Sequence, residues 1–490
     1  MGLTLHVVLW LPVIGALFTM LFGRGVAARG FALAFSGLTL LAATYLILGY
    51  DLRAGGMQAE SSVPFIPQIG SWLRIGVDGV SLPLVFLNCF LTFLVVLISW
   101  NLTLRPQLYF TLILFLQTAV TGVFVSLDLL VFFLFWELEL APMYLLIGIW
   151  GGPRRDYAAI KFIIYTISGS AFMLVGILAL FFLTSAPGAG TFDLFRIADG
   201  AHTLPIAAQV LLFVLLYIGF AVKVPIFPFH TWLPDAHVEA PTAVSVLLAG
   251  VLLKMGGYGL VRLCITILPD AARVLAPALV VLAVVNVIYG AYLALSRIDG
   301  DLKQMIAYSS ISHMGYVVLG LAALSVTGLE GAVMQMFTHG TITALLFTMV
   351  GLVYDRTHTR IIPEMGGLAQ RMPFIATSFV MAGLASLGLP GMNGFIGEFL
   401  VFIGAWNAWP FATAISAFAI VLTAGYITWM LLRVFFGPIS NRWHDLTDAD
   451  GRERFVVGAL LLVIIVTGVY PSSVADMIAV GVAPIARLFV

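Results

Sequence analysis

I-A-A-Q-V-L-L-F-V-L-L-Y-I-G-F-A-V-K-V-P-I-F-P-F-H-T-W-L-P, residues 206–234, opens as an apolar helix and then breaks. Its first part is long enough to enter a bilayer, whose hydrocarbon takes about 20 apolar residues to cross. Pro225, Pro228 and Pro234 then remove backbone donors and crowd the preceding turn. A second run, G-L-P-G-M-N-G-F-I-G-E at 388–398, interrupts another apolar stretch through Pro390 and Gly391. Broken backbone at membrane depth survives only where protein or a water-filled cavity satisfies it. A pair of interrupted spans in two halves of a chain points to an ion pathway, with His230 in the first break beside it.

The composition excludes a soluble fold. Of 490 residues, 61% are hydrophobic and 9% charged, where a soluble chain carries roughly 25% charged residues. Too little polar material remains to cover a surface, which removes soluble enzymes, disordered regulators and secreted disulfide scaffolds. The 23 basic residues balance the 23 acidic ones, so nucleic acid has no basic stripe to bind. Cys89 and Cys264 lie in apolar runs without a CxxC or Cys/His cluster, and neither an iron–sulfur nor a structural zinc site is expected. Residues 1–22 carry no Lys or Arg before their apolar run and no small-residue cleavage site after it, which reads as a retained span.

Fourteen apolar runs qualify as spans: 4–22, 30–50, 80–100, 108–126, 128–150, 160–184, 206–227, 241–266, 274–295, 303–324, 331–353, 374–404, 410–435 and 455–474. They are too long and continuous for barrel strands, so the expected fold is an all-α polytopic membrane protein with helices 7 and 12 broken. Lys223 and Glu398 stand 175 residues apart; the same step carries Glu137 to 312, beside His313, and Lys254 into span 13. With five intervening spans, an odd number, this predicts two five-helix repeats of inverted orientation, spans 4–8 and 9–13. The chain then divides into spans 1–3 (1–107), a first repeat (108–266), an inverted second repeat (267–435), and a last span with a short tail (436–490). The loops after spans 1, 3, 5, 9, 11 and 13 carry 15 Lys and Arg. The opposite side carries 6, namely Arg53, Arg74, Arg196, Arg262, Arg273 and Arg487, with only Lys223 and Lys254 left inside spans. Basic loops stay inside, which puts both termini outside.

Seven titratable side chains fall well within spans: Glu137, Glu139, Lys223, Lys254, His313, His339 and Glu398. A central Asp, Lys or Arg costs roughly 2.5–3.5 kcal/mol on the insertion scale, so these groups persist where they pair, are hydrated or change charge, and a proton or ion route is the default reading. Glu137 has only Phe133 and Ala141 at four-residue spacing, so its counter-ion must come from another helix, and Lys223 is the natural candidate. At about 4 Å and an effective dielectric near 20 the pair is worth about 4 kcal/mol. One charge moved through 100 mV is worth about 2.3 kcal/mol. Making and breaking one pair can therefore gate one proton. Glu139 sits about 200° further round an ideal helix and is expected to face a neighbouring subunit or headgroups. Lys254 is a mid-span relay candidate, a role buried lysines take readily. His313 has Ser309 and Tyr316 near it, and His339 has Gln335 and Thr343 at four-residue spacing, stripes that can order a water wire. Histidine changes charge near neutral pH; a haem held by the pair has no other feature in its favour. Glu398 closes the second break, where a carboxylate beside unwound backbone can release a proton to either side. His230, Asp235, His237 and Glu239 are metal-ligand types, but prolines punctuate the stretch and no metal motif fits, so a hydrogen-bonded turn and no metal are expected.

The block K-V-P-I-F-P-F-H-T-W-L-P-D-A-H-V-E-A-P-T-A-V-S (223–245), with V-D-G-V-S-L (77–82), F-W-E (135–137) and Y-S-S-I-S-H-M-G-Y (308–316), resembles the antiporter-like subunits of respiratory complex I. That family also includes subunits of multisubunit cation/proton antiporters and membrane-bound hydrogenases. The resemblance extends over nearly the whole chain. Glu398 stands where chains of the L and N types usually carry Lys, and the chain ends about 15 residues after its last span, where the L type has a long lateral helix. Glu139 departs from the pattern, since a neutral residue is more usual there. The resemblance implies that Glu137 and Lys223 are the coupled pair of an input half-channel and Lys254 its central relay. His313 and His339 would bridge to an output half that ends at Glu398. It assigns FMN, iron–sulfur clusters and quinone to partner subunits and none to this chain, with chains L and N and lipid as neighbours in a bacterial inner membrane. The alternatives are a Na⁺(K⁺)/H⁺ antiporter or hydrogenase subunit, and a passive scaffold whose buried charges only hold helices together.

Overall fold

The computed structural model describes residues 1–185 and 190–489. Among these the chain is helical apart from short connections and one antiparallel hairpin, Gln58–Ile66 with Ser71–Val77, between spans 2 and 3. Among the described residues thirteen helices are long and apolar enough to cross a membrane. The shorter helices Pro373–Ser386 and Asn393–Trp406 together make the broken span 12.

The chain's end differs from the expected short tail. Gly451–Val469 is the last crossing: Glu453 in its first turn bonds Arg356 at the end of span 11, while Val463, Val466 and Thr467 line a cavity with Thr44 and Ile47 at the end of span 2. Ser472–Phe489, one of the thirteen where Gly451–Val469 is not, is an apolar helix with a terminal turn. It lies along the hairpin face instead of crossing. Its Met477 and Gly481 pack on Gly79 at the start of span 3, and the Leu488 carbonyl accepts from Arg273 at the start of span 9.

Burial sorts the spans. The apolar centres of Thr242–Ile265 and Val326–Thr357 are wholly buried and that of Leu302–Ala322 nearly so, whereas Val26–Leu48, Arg155–Thr184 and Pro410–Phe435 turn apolar faces outward. The three central helices are those that carry Lys254, His339 and His313. Such residues avoid the lipid-facing helices because a bare charge in hydrocarbon has no partner. Two further buried cations escaped the sequence count. Arg262, assigned to a loop, lies inside span 8 and pairs with Asp78. Lys303, assigned to another loop, is buried in the first turn of span 10 and donates to the Ala240 carbonyl.

Both predicted breaks exist, at residues 224–231 and 387–392. The fixed 175-residue offset, however, is not a structural correspondence. Lys223 is the last residue of the helix before its break, and Glu398 lies inside the helix after its own. Equal spacing of ionisable residues therefore does not align the two interruptions. The first break is sutured from span 9: Asn286 Oδ1 accepts from Phe227 N at 2.7 Å, and Asn286 Nδ2 donates to the Pro225 carbonyl at 3.0 Å. Trp232 Nε1 also donates to Val222 O at 2.8 Å, tying the second half-helix back to the first. At the second break Asn393 Nδ2 reaches the Thr341 and Thr467 hydroxyls at 3.0 and 3.1 Å.

Asn286→Leu removes both partners of the first break. Each buried group left unsatisfied costs about 1–3 kcal/mol, so the variant is expected to melt at lower temperature, measured as thermal unfolding of the detergent-solubilised protein. An unchanged melting temperature refutes the suture.

Candidate proton-translocation site

Span 5, Leu129–Trp150, starts at Asp128, whose carboxylate accepts from Leu130 N and Val131 N at 3.0 Å. It runs as one helix to Leu138 and resumes at Leu140. Pro142 has no N–H to return to Leu138 and crowds that carbonyl, which accounts for the interruption at Glu139. The buried side of the span is Phe132, Phe135, Trp136, Glu139, Met143 and Ile147, while Leu134 and Leu138 are exposed.

Lys223, at the end of Ile206–Lys223, therefore meets Glu139 and not Glu137. Its ammonium donates to Glu139 Oε1, and both side chains are essentially inaccessible. The Lys223 Nζ also lies 5.6 Å from the Trp136 ring centroid and 5.3 Å from that of Phe162, within cation–π range. Two expectations are corrected at once: Glu139 does not face headgroups, and Glu137 is not the direct partner of the lysine. Glu137 is half-buried, with Ser170 of span 6 facing it and Lys223 near enough to act on its charge.

Span 8 carries Lys254 between two π-wound segments, Leu248–Leu252 and Leu260–Ile265. Such wider turns recur at functional sites because they release carbonyls from the regular ladder, and Lys254 Nζ donates to one of them, Ala249 O. The same nitrogen meets His339 Nδ1 at 2.8 Å. The rings of His339 and His313 follow at 5.6 Å between centroids. His313 Nδ1 lies 3.1 Å from Glu398 Oε1, and its Nε2 lies 3.3 Å from Ser386 Oγ, at the edge of the second break. Lys254, His339, His313 and Glu398 thus form one buried line. The Glu139–Lys223 pair abuts it through span 8: a methyl added to Gly256, two residues after Lys254, would stand 2.9 Å from Val224 N.

The other candidate residues divide. Tyr316 packs edge-on to His313 at 6.0 Å and donates to Ser416 O, and Gln335 accepts from Thr338. Ser309 and Thr343 turn their hydroxyls onto carbonyls of their own helices, and neither bonds an imidazole. His230 sits in the first break against Phe227 and Tyr289. The four ligand-type residues after it do not converge: Asp235 pairs with Lys161 at 2.7 Å, Glu239 with Arg154 at 3.6 Å, and His237 stacks on Phe347 at 4.5 Å. Among the described residues no group of three could hold a metal ion. The sequence reading missed Asn286 and the Arg262–Asp78 pair. The V-D-G-V-S run holds a signal for the latter: one Asp78 oxygen accepts from Val80 N and Ser81 N in the turn before span 3, and the other is free for a cation.

A broken-helix bundle with a buried Lys–His–His–Glu line defines a membrane ion translocator. The chain belongs to the NADH:quinone oxidoreductase/Mrp antiporter family, whose transmembrane model matches residues 126–423. It is 45% identical over 487 residues to NAD(P)H-quinone oxidoreductase chain 4 1 of Synechococcus sp. (strain JA-3-3Ab), an alignment covering 96% of this chain and 91% of that one. Among solved structures it superposes on a chain of respiratory complex I from Thermus thermophilus with TM-score 0.90 and 29% identity, covering 99% and 100% of the two chains. A chain of the Mrp complex from Dietzia sp. DQ12-45-1b shares the fold, with TM-score 0.82 at 24% identity, covering 98% of this chain and 52% of that one.

Gly388 has a left-handed φ of +75°, and a Cβ there would stand 2.9 Å from Glu398 Oε2. Gly388→Ala adds about 1–2 kcal/mol of backbone strain and pushes the carboxylate from His313. It is expected to reduce proton pumping by the assembled complex in proteoliposomes more than it reduces assembly. Wild-type pumping counts against a role for the His313–Glu398 contact.

Proposed function

We propose that this chain is the chain-4 (M-type) membrane-arm subunit of a proton-translocating NADH:quinone oxidoreductase and moves protons through two linked half-channels. The observation that carries the reading is the buried line from Lys254 through His339 and His313 to Glu398, reached from Glu139–Lys223. Residues 108–266 form the input half, 267–435 the inverted output half, and Lys254 joins them. The chain-4 relatives, matched nearly end to end, support an oxidoreductase over an antiporter of the Mrp kind, where the likeness rests on the fold. Redox chemistry then belongs to partner subunits that hold FMN, iron–sulfur clusters and quinone. The antiporter-like chains L and N are the neighbours proposed for this chain.

The membrane is a bacterial inner membrane, with both termini on the outer side. Taking buried Arg262 and Lys303 out of the loop counts leaves the sign of the basic-residue bias unchanged. An ion pair worth about 4 kcal/mol at effective dielectric 20 is within reach of a redox-driven conformational or electrostatic signal. Opening Glu139–Lys223 changes the field at Lys254, whose proton can pass to His339 and onward. The residues of this chain supply donors and acceptors at fixed positions, and the direction is set by which half is open.

Lys254→Ala and Lys223→Ala are expected to leave the complex assembled and to abolish proton movement coupled to NADH oxidation in proteoliposomes. Loss of assembly alone favours the scaffold reading, and unchanged pumping in both refutes translocation through this chain.

A further inference from the structure

We infer that Glu137, Glu139 and Lys223 act as a three-group unit in which two carboxylates share one ammonium and hold one proton between them. The inference rests on the proton-translocation reading and deepens it.

Three observations carry it. Glu139 is fully buried and bonded to Lys223 through Oε1, while its Oε2 has no hydrogen-bond partner. Glu137 stands two residues away across the helix interruption. Its Oε1 is buried without a partner, and the rest of the residue lies beside exposed Leu134 and Leu138. Lys223 and the other carboxylate are the charged groups that act on Glu139; Lys223 and Ser170 face Glu137. One ammonium neutralises one carboxylate, and two carboxylates sharing a site do not both ionise cheaply. The unit is electroneutral only when one acid carries a proton.

The two acids differ in access. Glu139 is dry and is the resting partner of the lysine; Glu137, at the edge of the bundle, is the acid that loads. In the loaded state Glu137 is protonated and the Lys223–Glu139 pair is closed. When Glu137 gives up its proton, the ammonium turns toward it, and a new proton taken up by Glu137 sends the ammonium back to Glu139. One proton leaves, one enters, and the net charge returns to zero. The faces of Trp136 and Phe162 lie beside the ammonium and remain favourable to it during the exchange.

The test uses the assembled complex in proteoliposomes, with Glu137→Gln, Glu139→Gln, the double variant, and Lys254→Ala as a control. Each single variant is expected to retain reduced pumping, because one acid still serves Lys223, and the double variant to lose it. Infrared difference spectra are expected to show a protonated-carboxyl band in the wild type that either single variant removes, since one acid facing one ammonium stays ionised. The inference is overturned if one single variant equals the double while the other pumps like wild type, or if the band survives in Glu139→Gln. Should Glu139→Gln fail to assemble, the spectrum of wild type against Glu137→Gln decides: without a band lost, the shared proton is refuted. Normal pumping by Lys254→Ala defeats the translocation reading itself, and the infrared result then stands separately.

Discussion

Hydrocarbon offers no partner to an unpaired charge or an open backbone group, and nearly every feature of this chain answers that constraint. The two broken spans are possible because neighbouring helices complete them: Asn286 for the first, Asn393 with two threonines for the second. The buried cations obey the same rule. Lys223 has Glu139, Arg262 has Asp78, and Lys254 leans on a carbonyl freed by π winding and on His339. Partners this close keep the charges affordable and leave each one bond away from release.

In the proposed route, satisfaction and transport use the same contacts. A permanent ion pair would settle the electrostatics of Lys223 with one acid. The presence of a second acid beside it, with an unpartnered oxygen, is more than neutralisation requires. The imidazoles are likewise placed between charge carriers and not at the bundle surface. His339 faces a lysine through Nδ1, with Nε2 unpartnered, and His313 stands between the Glu398 carboxylate and the Ser386 hydroxyl. That arrangement suits passage through a ring whose two nitrogens exchange roles.

Much of this was legible in the sequence, and the reason is that the bilayer makes composition speak. Long apolar runs gave the spans, and prolines at 225, 228 and 390 gave the breaks. Rarity of charge inside the runs singled out Lys223, Lys254, His313, His339 and Glu398. The illegible parts are those where the apolar contrast vanishes. Span 5 is hydrophobic on every side, so no stripe told its inner face from its outer one. An ideal helical rotation then assigned Glu139 outward, when it falls on the buried side with Phe132, Trp136 and Met143. The hairpin at 58–77 has no apolar run to count, and the helix Ser472–Phe489 is apolar enough for a span yet packs beside the hairpin at Gly79. Asn286 looks ordinary in a row of Val and Ala until the backbone it serves is in view.

The two polar groupings also had to be brought together without a polar residue between them, and close packing does it. Gly256 lets span 8 press its backbone against the end of span 7, where a methyl would meet both Val224 N and Phe220 O. A displacement of Lys223 that moves Val224 is thereby felt at the turn holding Lys254. Packed interiors transmit such shifts because they have little free volume to absorb them. Mechanical contact at Gly256 and the electrostatic field of the Lys223 pair then act on Lys254 from the same direction. Coupling between the Lys223 pair and Lys254 therefore needs no dedicated side chain bridging them.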